Sequence, residues 1–497
     1  MIEKNKKMLN EIIKYRLEKL NSFSDNFIEP YPYKYNVKNK ISDIIKSHDD
    51  YLDEILSIAG RIVSMRKMGK SSFLNIQDIS GNIQLYLNNN NLESNLYDNL
   101  VRKLDIGDIV GIEGKVFYTK TEELSIKVSD ITLLSKSIRP LPNMKEKDGK
   151  VFFSFDDKEQ RYRKRYLDLI INSQNKQVFI NRSIIINEIR KYLNINSYIE
   201  VETPILQSQY GGANAKPFTT FHNALEQKLY LRIADELYLK RLIVGGFEKV
   251  YEISKNFRNE GMDRSHNPEF TMLEFYCAYS DVYDVMEFTE SMIRNVATEI
   301  KFKSNTIDFN KKFTRMSFFE SIDNYSKTKI SKMSSEELYD YLKNNDIDVD
   351  ASYGYGKLLD KAFSIYVEPN LINPTFILDY PIELSPLAKI KRDSDGSIVE
   401  RFELFINGME IANAFSELNN PIEQKSRLED QVRLKECGDD EAQPIDLDFI
   451  ESIEIGMPPT GGVGIGIDRL VMILTNQNSI KDVILFPAMR NEFDKTI

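Results

Sequence analysis

A chain of 497 residues, 41% hydrophobic and 29% charged, has the make-up of a soluble globular protein of two or more domains. No run approaches the ~18 apolar residues of a membrane span, and the opening MIEKNKKMLNEIIKYRLEKL is charged throughout instead of carrying an apolar signal core, so a cytoplasmic protein with no membrane partner is expected. A net charge of −10 argues against DNA as a partner but leaves room for a local patch that grips a nucleic acid transiently, while two cysteines, Cys277 and Cys437, and three scattered histidines, His48, His222 and His266, exclude a disulfide framework and a cysteine- or histidine-based metal site.

Leu9, Ile12, Ile13, Leu17 and Leu20 recur at helical spacing beside Lys6, Lys14 and Lys19, which predicts an amphipathic basic helix with a solvated face. PYPYKY, 30–35, reads as a connector, so residues 1–50 form a helix and a link. From Leu56 to Leu134 five short strands with turn signals predict a small barrel of the oligonucleotide-binding kind, over 51–137. Ordinary burial reads its Phe73 as core. SIRPLPNMKEKDGKV opens an interdomain linker over 138–160. RYRKRYLDLI, 161–170, follows with four basic residues, read as a solvated charged face.

QVFINRSIIINEIRKYLN, 177–194, predicts a long apolar-rich helix, and SYIEVETPIL a strand ending at Pro204. GGANAKPF, 211–218, supplies glycines where backbone comes close to something. In LYLRIADELYLKRLIVGGF, Glu236 sits early in a helix, where an acid complements the helix dipole. EKVYEISKNFRNEGMDRSHNPEFTMLEFYCAY, 248–279, reads as two antiparallel strands with a long polar loop. Phe270, Met272, Glu274 and Tyr276 share one strand face, which puts an aromatic ring ~13 Å from a carboxylate. Arg258 and Glu260 share parity where the first strand enters the loop. That face offers a ring for a base, a guanidinium for phosphate and an acid for a cation.

Residues 281–370 return to helical periodicity and are expected as a helical insertion. In RFELFINGMEIANAFSELNN, 401–420, Asn407-Gly408 predicts a two-residue hairpin turn pairing Ile406 with Met409, Phe405 with Glu410 and Glu403 with Ala412. Glu403 and Glu410 then lie diagonally on one face, where a magnesium ion with phosphates is the natural occupant between two acids. A regular strand would point Asn413 away from Glu410, so a bulge or a strand end just after Glu410 is required if both serve one pocket. In PPTGGVGIGIDRLVMILTN, 458–476, Gly462, Gly464 and Gly466 make a strand face free of side chains, and Arg469 projects from the first turn of the next helix, where it needs an anion or a ring.

FRNEG followed by HNPEFTMLEFYCAY resembles motif 2 of the class II aminoacyl-tRNA synthetases, in their bacterial-type lysyl branch. The helix and strand of 177–204 resemble motif 1, and residues 458–476 resemble motif 3. The resemblance covers nearly the whole chain and implies an α+β fold: an N-terminal five-stranded OB-type β-barrel that binds the anticodon, then a class II catalytic domain over 161–497, an antiparallel sheet flanked by helices. It implies an aminoacyl-tRNA synthetase activating L-lysine with ATP and Mg2+, with tRNA(Lys) as acceptor, assembled as a homodimer. It assigns Gly212, Glu236, Arg258, Glu274, Tyr276, Asn413 and Glu417 to lysine, and Arg258, Glu260, His266, Phe270, Glu403, Glu410 and Arg469 to ATP. Glu403 and Glu410 are its metal ligands, Arg258 its charge-stabilising catalytic group, and Arg66, Phe73, Gln84 and Glu123 its anticodon contacts. KMGKS, 67–71, and SKMSS, 331–335, mimic the signature of the other synthetase class but lack its His-x-Gly-His turn and repeated strand–helix pattern. Aspartyl or asparaginyl relatives share this layout without so acidic a pocket, a ligase for a protein acceptor should lack the barrel, and a non-catalytic relative should have lost Arg258, Glu403, Glu410 or Arg469.

Overall fold

The computed structural model describes residues 2–491 other than 53, 94, 143, 148–149, 154, 351–352 and 437–443, so Cys437 lies outside the described residues. Cys277 is a free, buried thiol. No helix among the described residues is long and apolar enough to cross a membrane. The chain divides into two compact units, Met1–Arg161 with Tyr166–Ile171, and Tyr162–Arg165 with Asn172–Ile497.

The first unit begins with helix α1 (Ile2–Ser24) and then closes a barrel from β1 (Leu56–Met68), β2 (Ser71–Gln77), β3 (Asn82–Asn88), β4 (Ile109–Tyr118) and β5 (Leu124–Ser135) in the order β1-β2-β3-β5-β4. Alternation builds it: in β2, Leu74 and Ile76 point inward while Phe73 and Asn75 stay at the surface. Phe23 of α1 joins the barrel core of Ile58, Leu85, Ile112 and Val128. The basic face of α1 is not simply solvated. Arg16 donates to the Ser137 carbonyl at 2.7 Å, Lys19 pairs with Asp105 at 2.7 Å, and fully buried Lys136 meets both Asp105 and Asp108. The KMGKS stretch is the β1–β2 hairpin, with Met68 opposite Ser71 and Gly69 at φ 56°. In the stretch expected as linker, Met144–Lys147 and Lys150–Phe153 pair as a second hairpin.

The second unit contains α2 (Lys176–Ile195), β6 (Ile199–Glu200), α3 (Glu236–Val244), β7 (Lys249–Phe257), β8 (Glu269–Ala278), α4 (Val282–Glu299), β9 (Thr314–Ser317), β10 (Thr375–Leu378), β11 (Arg401–Ile406), β12 (Met409–Ser416), β13 (Thr460–Gly466) and α5 (Ile467–Leu474). These strands form one sheet in the order β9-β10-β11-β12-β13-β8-β7-β6, antiparallel except at its two ends. The sheet's apolar face packs on α2, α4 and α5 through Ile185, Ile189, Met286, Ile293, Leu404, Ala412 and Leu470. An Asp281–Asp284 capping box starts α4. Among the described residues of 281–370, the helices Val282–Glu299, Phe318–Ser326, Ser335–Asn344 and Tyr355–Tyr366 are joined by irregular segments and by β9, which extends the sheet. SKMSS is a short turn whose Ser334 caps the next helix with Glu337. In the RYRKRY stretch, Arg165 is not a solvated charge. It is buried and donates to the carbonyls of Lys481, Ile484 and Leu485.

Candidate active site

The exposed middle of the sheet floors a cavity of about 360 Å³. Three antiparallel strands supply its residues by parity. Across β8 and β13, Met272 faces Gly466, Glu274 faces Gly464 and Tyr276 faces Gly462. Side chains of one strand thus lie over the glycines of the next. A Cβ on Gly462 would fall 2.1 Å from Glu417 Oε1 and 2.4 Å from the Tyr276 ring, so only glycine permits their approach. Gly212, at φ 84°, lies against Ala234 and Glu236, a conformation that suits glycine.

One end of the cavity is acidic and closed. Glu236 begins α3, Glu274 and Tyr276 come from β8, Asn413 from β12, and Glu417 follows it. Tyr276 donates its hydroxyl to Glu274 Oε2 at 3.0 Å. Burial first, then Asp235 and Glu236, push the Glu274 carboxyl well above the usual carboxylate range. Burial also pushes Glu417 up to about 8, in spite of Lys240. Lys240, one turn after Glu236 and buried, bonds Glu236 and pairs with Glu417 at 2.5 Å. This internal cation was not among the residues expected to line the pocket. The i, i+4 spacing of Glu236 and Lys240 was its sequence signal.

The other end is open and mixed in charge. Arg258, at the exit of β7, has its guanidinium 5.1 Å from the Phe270 ring centroid, and its buried Nε has no hydrogen-bond partner among the described residues. Glu260, His266 and Phe270 line the same end. Arg469, in the first turn of α5, donates to the Glu410 carbonyl at 2.8 Å and meets the Glu410 carboxylate at 3.3 Å. Its other arm lies 2.9 Å from His266 Nε2, which must accept because a guanidinium only donates. His266 Nδ1 then carries the proton and donates to Asp263 at 2.8 Å.

Of the bulge and the strand end that the sequence allowed, the bulge is present. Phe405 pairs with Glu410, but Leu404 pairs with Ala412, leaving Ile411 unpaired. Glu403 therefore faces Asn413, not Ala412, which corrects the regular-strand count, and Glu410 and Asn413 both line the cavity. Glu403 stands aside from the cavity lining, held by Arg401 and by the Tyr380 hydroxyl at 2.7 Å. Burial, outweighing Arg401 and reinforced by Glu410, pushes it up to about 7. Carboxyl oxygens of this kind are the donors that a divalent cation prefers. Among the described residues no group of three or more His, Cys, Asp or Glu side chains is placed to hold a metal ion.

On the barrel, Phe73 lies opposite both Arg66 on β1 and Tyr86 on β3. The Phe73 and Tyr86 rings are 5.1 Å apart and Phe117 continues the row 5.9 Å from Tyr86, so Phe73 belongs to a half-exposed aromatic strip and not to the core. Gln84 donates to Ser125 at 2.9 Å beside the strip, and Glu123 is exposed before β5.

Residues 157–490 match the family model of tRNA synthetases class II (D, K and N), and residues 56–134 that of the OB-fold nucleic acid binding domain. The lysine–tRNA ligase of Porphyromonas gingivalis is 49% identical over 94% of this chain and 83% of its own length. That of Christiangramia forsetii is 48% identical over 97% and 87%, and that of Bacillus cereus 46% identical over 99% of both. A cavity walled by the strands of motifs 2 and 3 together with β12, in a chain matched by that family over two thirds of its sequence, leaves one conclusion: the chain belongs to the class II aminoacyl-tRNA synthetases of the aspartyl, lysyl and asparaginyl group, enzymes that use ATP, generally with Mg2+.

Proposed function

We propose that the chain is a lysine–tRNA ligase, forming lysyl-adenylate from L-lysine and ATP and passing the lysyl group to the 3′ end of tRNA(Lys). The carrying observation is Glu274 at the closed end of the cavity, where an aspartyl pocket needs a cation. Relatives named lysine–tRNA ligase over nearly full length support the same reading.

In this reading Glu236, with Glu417, Asn413 and the Gly212 backbone, holds the α end of lysine, and Glu274 with Tyr276 its side-chain ammonium. Lys240 keeps Glu236 and Glu417 from repelling one another. The lysine carboxylate is already a nucleophile at neutral pH and attacks the α-phosphorus, with pyrophosphate leaving in line, so no general base is needed. Phe270 stacks on adenine, Glu260 meets the nucleotide, and Arg258 stabilises charge gathering on the α-phosphate. His266 and Arg469 contact the outer phosphates. Glu403 and Glu410 would hold Mg2+, which neutralises phosphate charge when bound. A cytoplasmic location belongs to the same proposal.

ATP–pyrophosphate exchange with each of twenty amino acids, without tRNA, tests it: exchange with lysine alone is expected, and exchange with aspartate or asparagine instead would overturn the pocket reading. In the same assay Phe73→Ala should be unaffected while its KM for tRNA rises about 5- to 150-fold, the worth of one stacked base at ~1–3 kcal/mol. Unchanged tRNA use would remove Phe73 from the anticodon site.

The reading includes a homodimer. Ile180, Ile184 and Ile195 on α2, with Ile199, Ile205 and Leu206 beyond it, are exposed apolar residues on and just after the motif 1 segment. Light scattering should give twice the mass of one chain, and Ile184→Glu should shift it toward one. A monomeric parent would refute the dimer.

A further inference from the structure

Asp235 takes no part in the activity proposed above. It is fully buried, directly precedes α3 and does not cap that helix with its side chain. Its Oδ1 accepts from Asn256 Nδ2 at 3.2 Å, while its Oδ2 is buried with no donor among the described residues. Asn256 Nδ2 also lies 3.8 Å from Met272 Sδ, two residues before Glu274 on the same face of β8, so the buried Asp235 carboxyl stands beside that of Glu274, and after burial its charge is the first influence holding the Glu274 carboxyl up. Two carboxyl groups bond only when one of them carries a proton. A proton held between them supplies the donor that Oδ2 lacks.

The surrounding cations direct their bonds elsewhere. Arg232, before α3, pairs with Glu252 of β7 at 2.7 Å, Lys240 of α3 pairs with Glu236 and Glu417, and Arg401 of β11 bonds Glu403. Tyr276 of β8 already donates to Glu274. Arg258, at the far end of the cavity, adds only a weaker favourable charge.

We propose that in the free enzyme Asp235 and Glu274 share one proton, and that the side-chain ammonium of the amino acid displaces that proton to water on binding. The inference rests on lysine being the substrate. Free lysine brings its side-chain ammonium already charged, near the unperturbed pKa of ~10.4. The acid pair carries one negative charge before binding and two after, and the released proton goes to buffer. Asp235 is thus a positioning residue that acts through Glu274. While the pair holds its proton, lysine affinity should rise about tenfold per pH unit, because binding requires release; above the pair's titration that slope vanishes.

Calorimetric titration in buffers of different ionisation enthalpy counts the protons. Two probes are compared, L-lysine and L-6-hydroxynorleucine, which keeps the α-ammonium but has a neutral hydroxyl at the distal end. Protons lost near Glu236 or Glu417 appear with both probes, so the difference isolates the Glu274 end. Lysine should release about one proton more than the hydroxy analogue in the parent enzyme. In Asp235→Asn, whose amide can donate to an ionised Glu274, that difference should disappear and the pH slope flatten. Equal release by both probes in the parent, which needs no variant to fold, would overturn the proposal, as would a difference that survives in Asp235→Asn. No binding of lysine at all would overturn the substrate assignment and this inference with it.

Discussion

Arg258→Ala is expected to lower lysine-dependent ATP–pyrophosphate exchange by about 10³-fold or more, with the far-ultraviolet circular dichroism of the parent retained. The guanidinium is built in by neighbours that do not use up its donors: it lies over the Phe270 ring, and its buried Nε is unpartnered among the described residues. A fork held at fixed orientation with spare donors suits an oxyanion whose charge grows in the transition state. Lysine at this position keeps the charge but loses the fork, so Arg258→Lys should recover little. Single-turnover rates would separate the outcomes. A variant that keeps its chemical rate and loses only ATP affinity would make Arg258 a binding residue.

The second large effect is expected at Glu274. Glu274→Gln preserves shape and the bond from Tyr276 but takes away the charge that meets a side-chain ammonium. Removing one partner of a buried ion pair costs ~3–5 kcal/mol, so the lysine KM should rise by roughly 10²- to 5 × 10³-fold while the ATP KM hardly moves. Equal loss of both would mean that the glutamate holds the fold of the pocket and not the ligand.

Local geometry decided what could be read from the residues. Parity along 270–276 needs only a regular strand, and the structure sets Met272, Glu274 and Tyr276 opposite the glycines of β13. The hairpin at Asn407-Gly408 follows from turn chemistry, and the need for a bulge or a strand end followed from a conflict between two strand faces. Charges compensated at long range were harder to see. Arg165 looked like one more surface base in RYRKRY, yet its partners lie more than 300 residues away at 481–485. Lys240 and Asp235 flank a recognisable Glu236, but their effect on the pocket depends on Glu417 and Glu274, which come from other elements. Phe73 misled for the opposite reason, because a ring on a half-exposed barrel face has the same letter as one in the core.

The unpaired Ile411 has a consequence for how two substrates meet. Glu410 and Asn413 would point to opposite sides of an even ladder, and the additional residue turns both the same way. In the proposed reading, the group for the nucleotide and the group for the amino acid are therefore fixed on a single covalent segment three steps long, about 10 Å at full extension. Their spacing is gauged by the backbone of a central strand, so mutual alignment of the reactants does not wait for the loop carrying His266 to settle.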